Sequence, residues 1–268
     1  MKYSEHRPAS ALRPYVDCFW FLEGSNGVEA GAAPILPDGR MELIVNYGDP
    51  FQRLRGNASE IQPRSFLTGQ ITGPIVLQPA RDAGILGIRF RPGGAFPFFN
   101  FPQSEILNQT ASLELLWGRL AHEIEERICA ATQHTDKIGV MERILVSKLK
   151  PRTNMMLDAA IAGILATDGL IHVEDIARGL GTTRRNLERQ FKDHVGIGPK
   201  MLARIFRFQR IFKTLERNTS DRWISVALEC GYYDQAHFIR EFHEFSGKSP
   251  AAYFANEAEL SRFFTVKL

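Results

Sequence analysis

The chain has 268 residues, 44% hydrophobic and 24% charged, with a formal net charge of +3; this length suits two domains better than one and the balance excludes a disordered chain. Its three cysteines, Cys18, Cys129 and Cys230, are far apart and never form a CxxC pair, which argues against a disulfide framework or a zinc site. No run of about 18 apolar residues occurs and MKYSEHRPAS lacks an apolar signal region, so a cytoplasmic protein with no membrane partner is expected.

Residues 1–100 read as β-rich. Short apolar runs, Tyr15 to Leu22, Met41 to Tyr47, Ser65 to Thr68, Ile75 to Leu77 and Ala83 to Phe90, alternate with turn signals such as Gly24-Ser25-Asn26-Gly27, Pro37-Asp38-Gly39 and Gly73-Pro74. Many short strands of this kind predict a barrel or sandwich. From Ser112 the period lengthens, and Leu113, Leu116, Leu120, Ile124 and Ile128 predict one helix. A second helix, 137–149, ends at Lys150-Pro151, because proline disfavours helix in the residue before it. The expected division is therefore a domain over 1–150 and an all-helical one over 153–257.

The β-rich part offers little chemistry. None of His6, His122, His134, His172, His194, His237 and His243 falls between Tyr15 and Phe99, so a histidine-based metal site in a barrel is not expected. His122-Glu123 opens like HExxH, but Glu126 holds the fifth position, and neither a GxSxG elbow nor a phosphate-binding loop is present. No catalytic residue, cofactor or metal is assigned, and an enzyme is not expected. Trp20, Trp117, Phe96, Phe98, Phe99 and Phe101 read as core, with a ligand pocket as the alternative. Arg89-x-Arg91-Pro92-Gly93-Gly94 reads as a turn with solvated arginines, with an anion cradle as the alternative.

An internal repeat carries the functional argument. Ile176–Pro199 and Val226–Pro250 align with one inserted residue: Ala177 with Ala227, Gly181 with Gly231, Leu187 with Phe238, Phe191 with Phe242, Gly196 with Gly247 and Pro199 with Pro250. Each copy has the logic of a helix-turn-helix, with a small alanine at the crossing, a turn glycine, an N-cap (Thr183 or Asp234) and two inward anchors four apart. The units are expected near 173–195 and 224–246. The outward residues Thr183, Arg184, Arg185, Asn186, Glu188 and Arg189, and Gln235, His237 and Arg240, are of types that read base edges. Between Arg178 and Arg217 lie eleven basic residues and three acidic ones, an excess that attracts phosphate backbones, with a solvated helical face as the alternative. Lys200, Arg204 and Arg207, on a helix joining the copies, and Lys248 are the expected phosphate contacts.

Residues 153–255, above all GYYDQAHFIREFHEFSGKSPAAYF, resemble the DNA-binding domain of the AraC/XylS family of bacterial transcriptional regulators. Ile211 stands where that family usually has alanine, and His243 where lysine is commoner. LPDGRMELIVNYGDPF and GIRFRPGGAFPFF are similar to the cupin-like N-terminal domain of some members. The resemblance implies double-stranded DNA and RNA polymerase as partners and two recognition helices in successive major grooves. It further implies a β-barrel domain that binds a small-molecule effector or forms a homodimer. Two alternatives stand beside this: an N-terminal half that only dimerises, and an enzyme or repair protein fused to a DNA-binding module.

Overall fold

A computed structural model describes residues 1–25, 31–151, 153–217 and 223–255; the expected turn at Asn26-Gly27 lies outside them. The N-terminal part forms two antiparallel sheets. The larger contains, in spatial order, β1 (Lys2–His6), β2 (Val16–Ser25), β9 (Asp82–Phe90), β4 (Glu42–Asn46), β7 (Ser65–Thr68) and β10 (Thr110–Ser112). The smaller contains β3 (Ala33–Ile35), β8 (Ile75–Gln78), β5 (Gln52–Arg55) and β6 (Ala58–Ile61).

Period-two alternation explains why β2, β4 and β9 are apolar on both faces. Cys18, Trp20, Leu22, Ile44 and Ile85 point to one side, where they cluster with Phe51 and with Leu77 of the smaller sheet. Phe19, Phe21, Leu43, Val45, Leu86 and Ile88 point to the other and pack under helices. At the centre Trp20 pairs in register with Gly87, where a Cβ would lie 2.0 Å from the indole. Only glycine leaves room for that ring.

The helices on the far face are α1 (Phe96–Phe99), α2 (Leu113–Trp117), α3 (Arg119–Ala130) and α4 (His134–Lys148). The single helix expected from Ser112 to Ile128 is two, because Gly118 adopts φ +59° and turns the chain between them. Helix α4 begins before residue 137, and the buried Lys137 ammonium donates to the carbonyls of Ile128 and Ala131. It thereby caps the end of α3.

The C-terminal part is helical throughout: α5 (Met155–Ala166), α6 (Val173–Gly179), α7 (Arg184–His194), α8 (Pro199–Arg217), α9 (Trp223–Glu229), α10 (Gln235–Ser246) and α11 (Pro250–Ala255). These helices share one core, built on Phe191, Phe208, Phe238, Phe242 and Phe245. Leu36, from the β domain, belongs to that core as well. The two halves are in intimate contact there. Gln209 on α8 donates to the Pro37 carbonyl at 2.5 Å, and the backbone at Gly39 comes so close to Leu202 and Phe206 that a Cβ would lie 3.0 Å from each.

Candidate nucleic-acid interface

Both helix-turn-helix units take the same local form. In the first, α6 leads through Gly181, at φ +61°, to Thr183, whose hydroxyl accepts from the Asn186 amide at 3.2 Å and starts α7. In the second, α9 leads through Gly231, at φ +75°, to Asp234, whose carboxylate accepts from the His237 amide at 2.6 Å and starts α10. Those positive φ values are why glycine recurs at this point of the repeat. Ala177 and Ala227 are buried at the crossings, and Leu187, Phe191, Phe238 and Phe242 have no exposed surface.

The outward faces are narrower than the sequence alone suggests. On α7, Arg184, Arg185 and Arg189 are exposed; Arg184 pairs with Glu174 at 3.0 Å. Asn186 is half-buried and donates to the Thr182 hydroxyl at 3.0 Å while accepting from Arg189 at 2.9 Å. Glu188 lies back against Gly198, its carboxylate 2.5 Å from where a Cβ there would sit. On α10, Gln235, Ile239 and Arg240 are exposed, whereas His237 is half-buried and packs edge-on to Tyr232 with ring centroids 5.3 Å apart. Three of the expected base-reading side chains, Asn186, Glu188 and His237, are therefore held by their own unit.

A similar division separates the expected phosphate contacts. Lys200 and Lys248 are exposed. Arg204 and Arg207 are instead engaged with α10: Arg204 donates to Glu241 at 2.7 Å and Glu244 at 2.5 Å, and Arg207 donates to Glu241 at 3.0 Å while its guanidinium lies over the Tyr232 ring. Burial alone would raise the Glu241 carboxyl, but these hydrogen bonds and charges hold it below its ordinary value. The two arginines fasten α10 to α8, the helix that joins the two units. Glu241 was missed in the sequence, although a carboxylate on the face of Phe238, Phe242 and Phe245 is itself a signal for a buried ion pair.

Between the units runs a groove of about 650 Å³, walled by Arg184, Lys200, Arg204, Arg207 and Arg240 together with Glu174, Glu241 and Glu244. The β domain meets this assembly at equivalent points of the repeat. A Cβ at Gly196, after α7, would lie 3.1 Å from the Gln103 carbonyl and 3.3 Å from Gln70, and one at Gly247, after α10, 3.3 Å from Pro74. His194 lies against Phe96 with ring centroids 4.0 Å apart and planes tilted by 43°. Gly93 packs toward Ile161 and Val195, so the Arg89–Gly94 turn is part of the domain contact and Arg89 is buried against Glu42 at 2.8 Å. Neither supports the solvated arginine expected at Arg89. Among the described residues, no group of three or more His, Cys, Asp or Glu side chains is placed to hold a metal, and no helix is long and apolar enough to cross a membrane.

Residues 176–256 match the family described as a helix-turn-helix domain. The C-terminal half therefore carries a helix-turn-helix domain. Residues 4–112 match a separate family, described as a domain of unknown function (DUF6597). The chain is also similar to an uncharacterized HTH-type transcriptional regulator of Haemophilus influenzae, 30% identical over 82 residues. That stretch is 31% of this chain, and the chain spans 27% of the length of that curated relative. Among solved structures, apo ToxT from Vibrio cholerae is similar at 12% identity and a TM-score of 0.48, over 88% of this chain and 97% of the other. The AraC-like transcriptional activator CuxR is similar at 15% identity and a TM-score of 0.28, over 81% and 86%.

Proposed function

We propose that the protein binds duplex DNA sequence-specifically and regulates transcription initiation beside RNA polymerase, with residues 153–257 as the DNA-reading domain and residues 1–150 as a sensor for a small-molecule effector. The observation that carries this reading is the paired form of the two units. Each has a capped, exposed helix rooted in one core, with arginines outward on α7 and Gln235 and Arg240 outward on α10. Because these faces differ, one monomer reads two unlike boxes, and a homodimer would double the site. Arg185, Arg189, Gln235 and Arg240 make the base contacts; Lys200 and Lys248 meet phosphates. An internal cavity in the β domain favours sensing over dimerisation alone.

The test is selection from random duplexes by the full-length protein and by two double variants. Arg185→Ala with Arg189→Ala should relax one box, and Gln235→Ala with Arg240→Ala the other, each at about 1–3 kcal/mol per base pair. Binding by wild type should fall steeply with salt. Relaxation of the same bases by both variants would remove the two-box reading.

A further inference from the structure

Between its two sheets the β domain holds a cavity of about 100 Å³ that is partly open to solvent. That is about two-thirds of the roughly 150 Å³ of a closed cavity that takes up benzene, so a single aromatic ring is the upper limit of what it accepts, with any substituent on the open side. Its wall is mainly apolar, with the aromatic rings of Trp20, Phe51 and Phe66 among the lining groups. At one end stand three charged side chains, Asp38, Arg40 and Glu42.

Their pairings leave one carboxylate over. Arg40 is bound to Asp17, outside the cavity. Glu42 accepts from Trp20 at 3.0 Å and from the buried Arg89 at 2.8 Å, and Arg89 also faces Glu5 at 3.6 Å. Asp38 accepts only the backbone amide of Arg40, at 3.0 Å, and among the described residues it forms no ion pair. Burial raises its carboxyl to about 6 even with Arg89 and Arg40 in the vicinity. A carboxylate without its own cation, facing a pocket lined by aromatic rings, favours a positive ligand over an anion, because both the charge and the ring faces attract cations.

The cavity wall is also the domain contact. Leu36, Asp38 and Arg40 line the cavity, while Pro37 and Gly39, between them, are the residues pressed onto α8. Gly69 and Ile71 line it too, while Gln70, between them, donates to the Gly39 carbonyl at 2.9 Å and touches Gly196. Leu36 thus meets both the cavity and the helical core, and Pro37, Gly39 and Gln70 make the domain contact between residues that line the cavity.

Resting on the sensor reading above, we propose that this cavity binds a small organic ammonium ion of one-ring size, anchored by Asp38, and that the 36–40 and 69–71 segments carry its occupancy to α8 and the end of α7. An ordered ligand at Asp38 fixes the segment that Gln209 holds, and the connecting helix responds.

The experiment uses the full chain without DNA, so its outcome is independent of the DNA-binding reading. Benzylamine, benzyl alcohol and benzoate, one shape in three charge states, are titrated by calorimetry and by melting shift. Benzylamine should bind saturably, with the alcohol and the acid at least about tenfold weaker. Asp38→Asn keeps the acceptor for the Arg40 amide and should weaken benzylamine by about tenfold or more. Ile75→Phe, which fills the wall from β8, should block all three probes. Hydrogen exchange of residues 199–215 should slow on benzylamine saturation in wild type and be unchanged in Gln209→Ala, whose affinity for benzylamine stays within about threefold of wild type. Benzoate or benzyl alcohol binding as well as benzylamine, or full affinity in Asp38→Asn, overturns the ammonium assignment. Unchanged exchange in 199–215 at saturation overturns the coupling.

Discussion

Gln209 and Pro37, 172 residues apart in sequence, are joined by a buried hydrogen bond in which the Gln209 amide donates to the Pro37 carbonyl. Proline contributes no amide of its own to the loop, and the turn is held through its carbonyl and that of Gly39, which accepts from Gln70. The bond ties the middle of the connecting helix to the wall of the β-domain cavity.

Gln209→Leu should therefore cost about 1–3 kcal/mol of stability, since the Pro37 carbonyl is left buried without its donor. Urea denaturation of the full chain measures this. A loss below about 0.5 kcal/mol would mean that water replaces the amide and the contact is not closed.

Ala227→Leu should destabilise by about 1–3 kcal/mol, because Ala227 is buried where α9 meets the rest of its unit and a larger side chain overfills that space. DNA binding should fall with it. Wild-type stability in the variant would show that the second crossing has slack.

Glu241→Gln removes the anion shared by Arg204 and Arg207 and leaves two half-buried guanidiniums facing a neutral amide; the expected cost at neutral pH is about 2–3 kcal/mol. The carboxyl is held below its ordinary value in the fold, so its contribution is complete above pH 4.5 and disappears as pH falls through the lowered value. Relative to wild type, the variant should recover stability below pH 4.5. An equal deficit at pH 3 and pH 7 would contradict the ion-pair account.

Asp38 works in the opposite direction. Its carboxyl is raised from 3.8 to about 6 by burial, so the folded state holds a proton that the unfolded state has released, and stability falls as pH rises through that window. Asp38→Asn should match wild type near pH 3 and exceed it above pH 6, by about 3 kcal/mol at most. A melting series at several pH values checks the sign.

The repeat was legible because its features are local: alanine, glycine, cap and anchors recur at fixed spacing, and the fold places each pair alike. The strands at 65–68, 75–77 and 83–90 were legible from apolar runs between turns. Gly118 was not read as a break, since a single glycine within a helical pattern is commonly tolerated and only its φ of +59° reveals the turn. β5 and β6, QRLR and ASEI, are mostly polar and lie at or next to a sheet edge, so hydrophobic periodicity passes over them. Which outward polar residues stay free is a question of partners from other segments. Glu188 meets Gly198, and Arg204 meets Glu241, across distances that helical spacing does not encode.

The place of Leu36 bears on how such a protein can be taken apart. A cut at residue 150 removes the Leu36 side chain from the helical core and uncovers Leu202 and Phe206, against which the Gly39 turn packs. Swapping this front half for an unrelated one would leave that gap unfilled. Calorimetry of the intact chain should show a single melting peak rather than two.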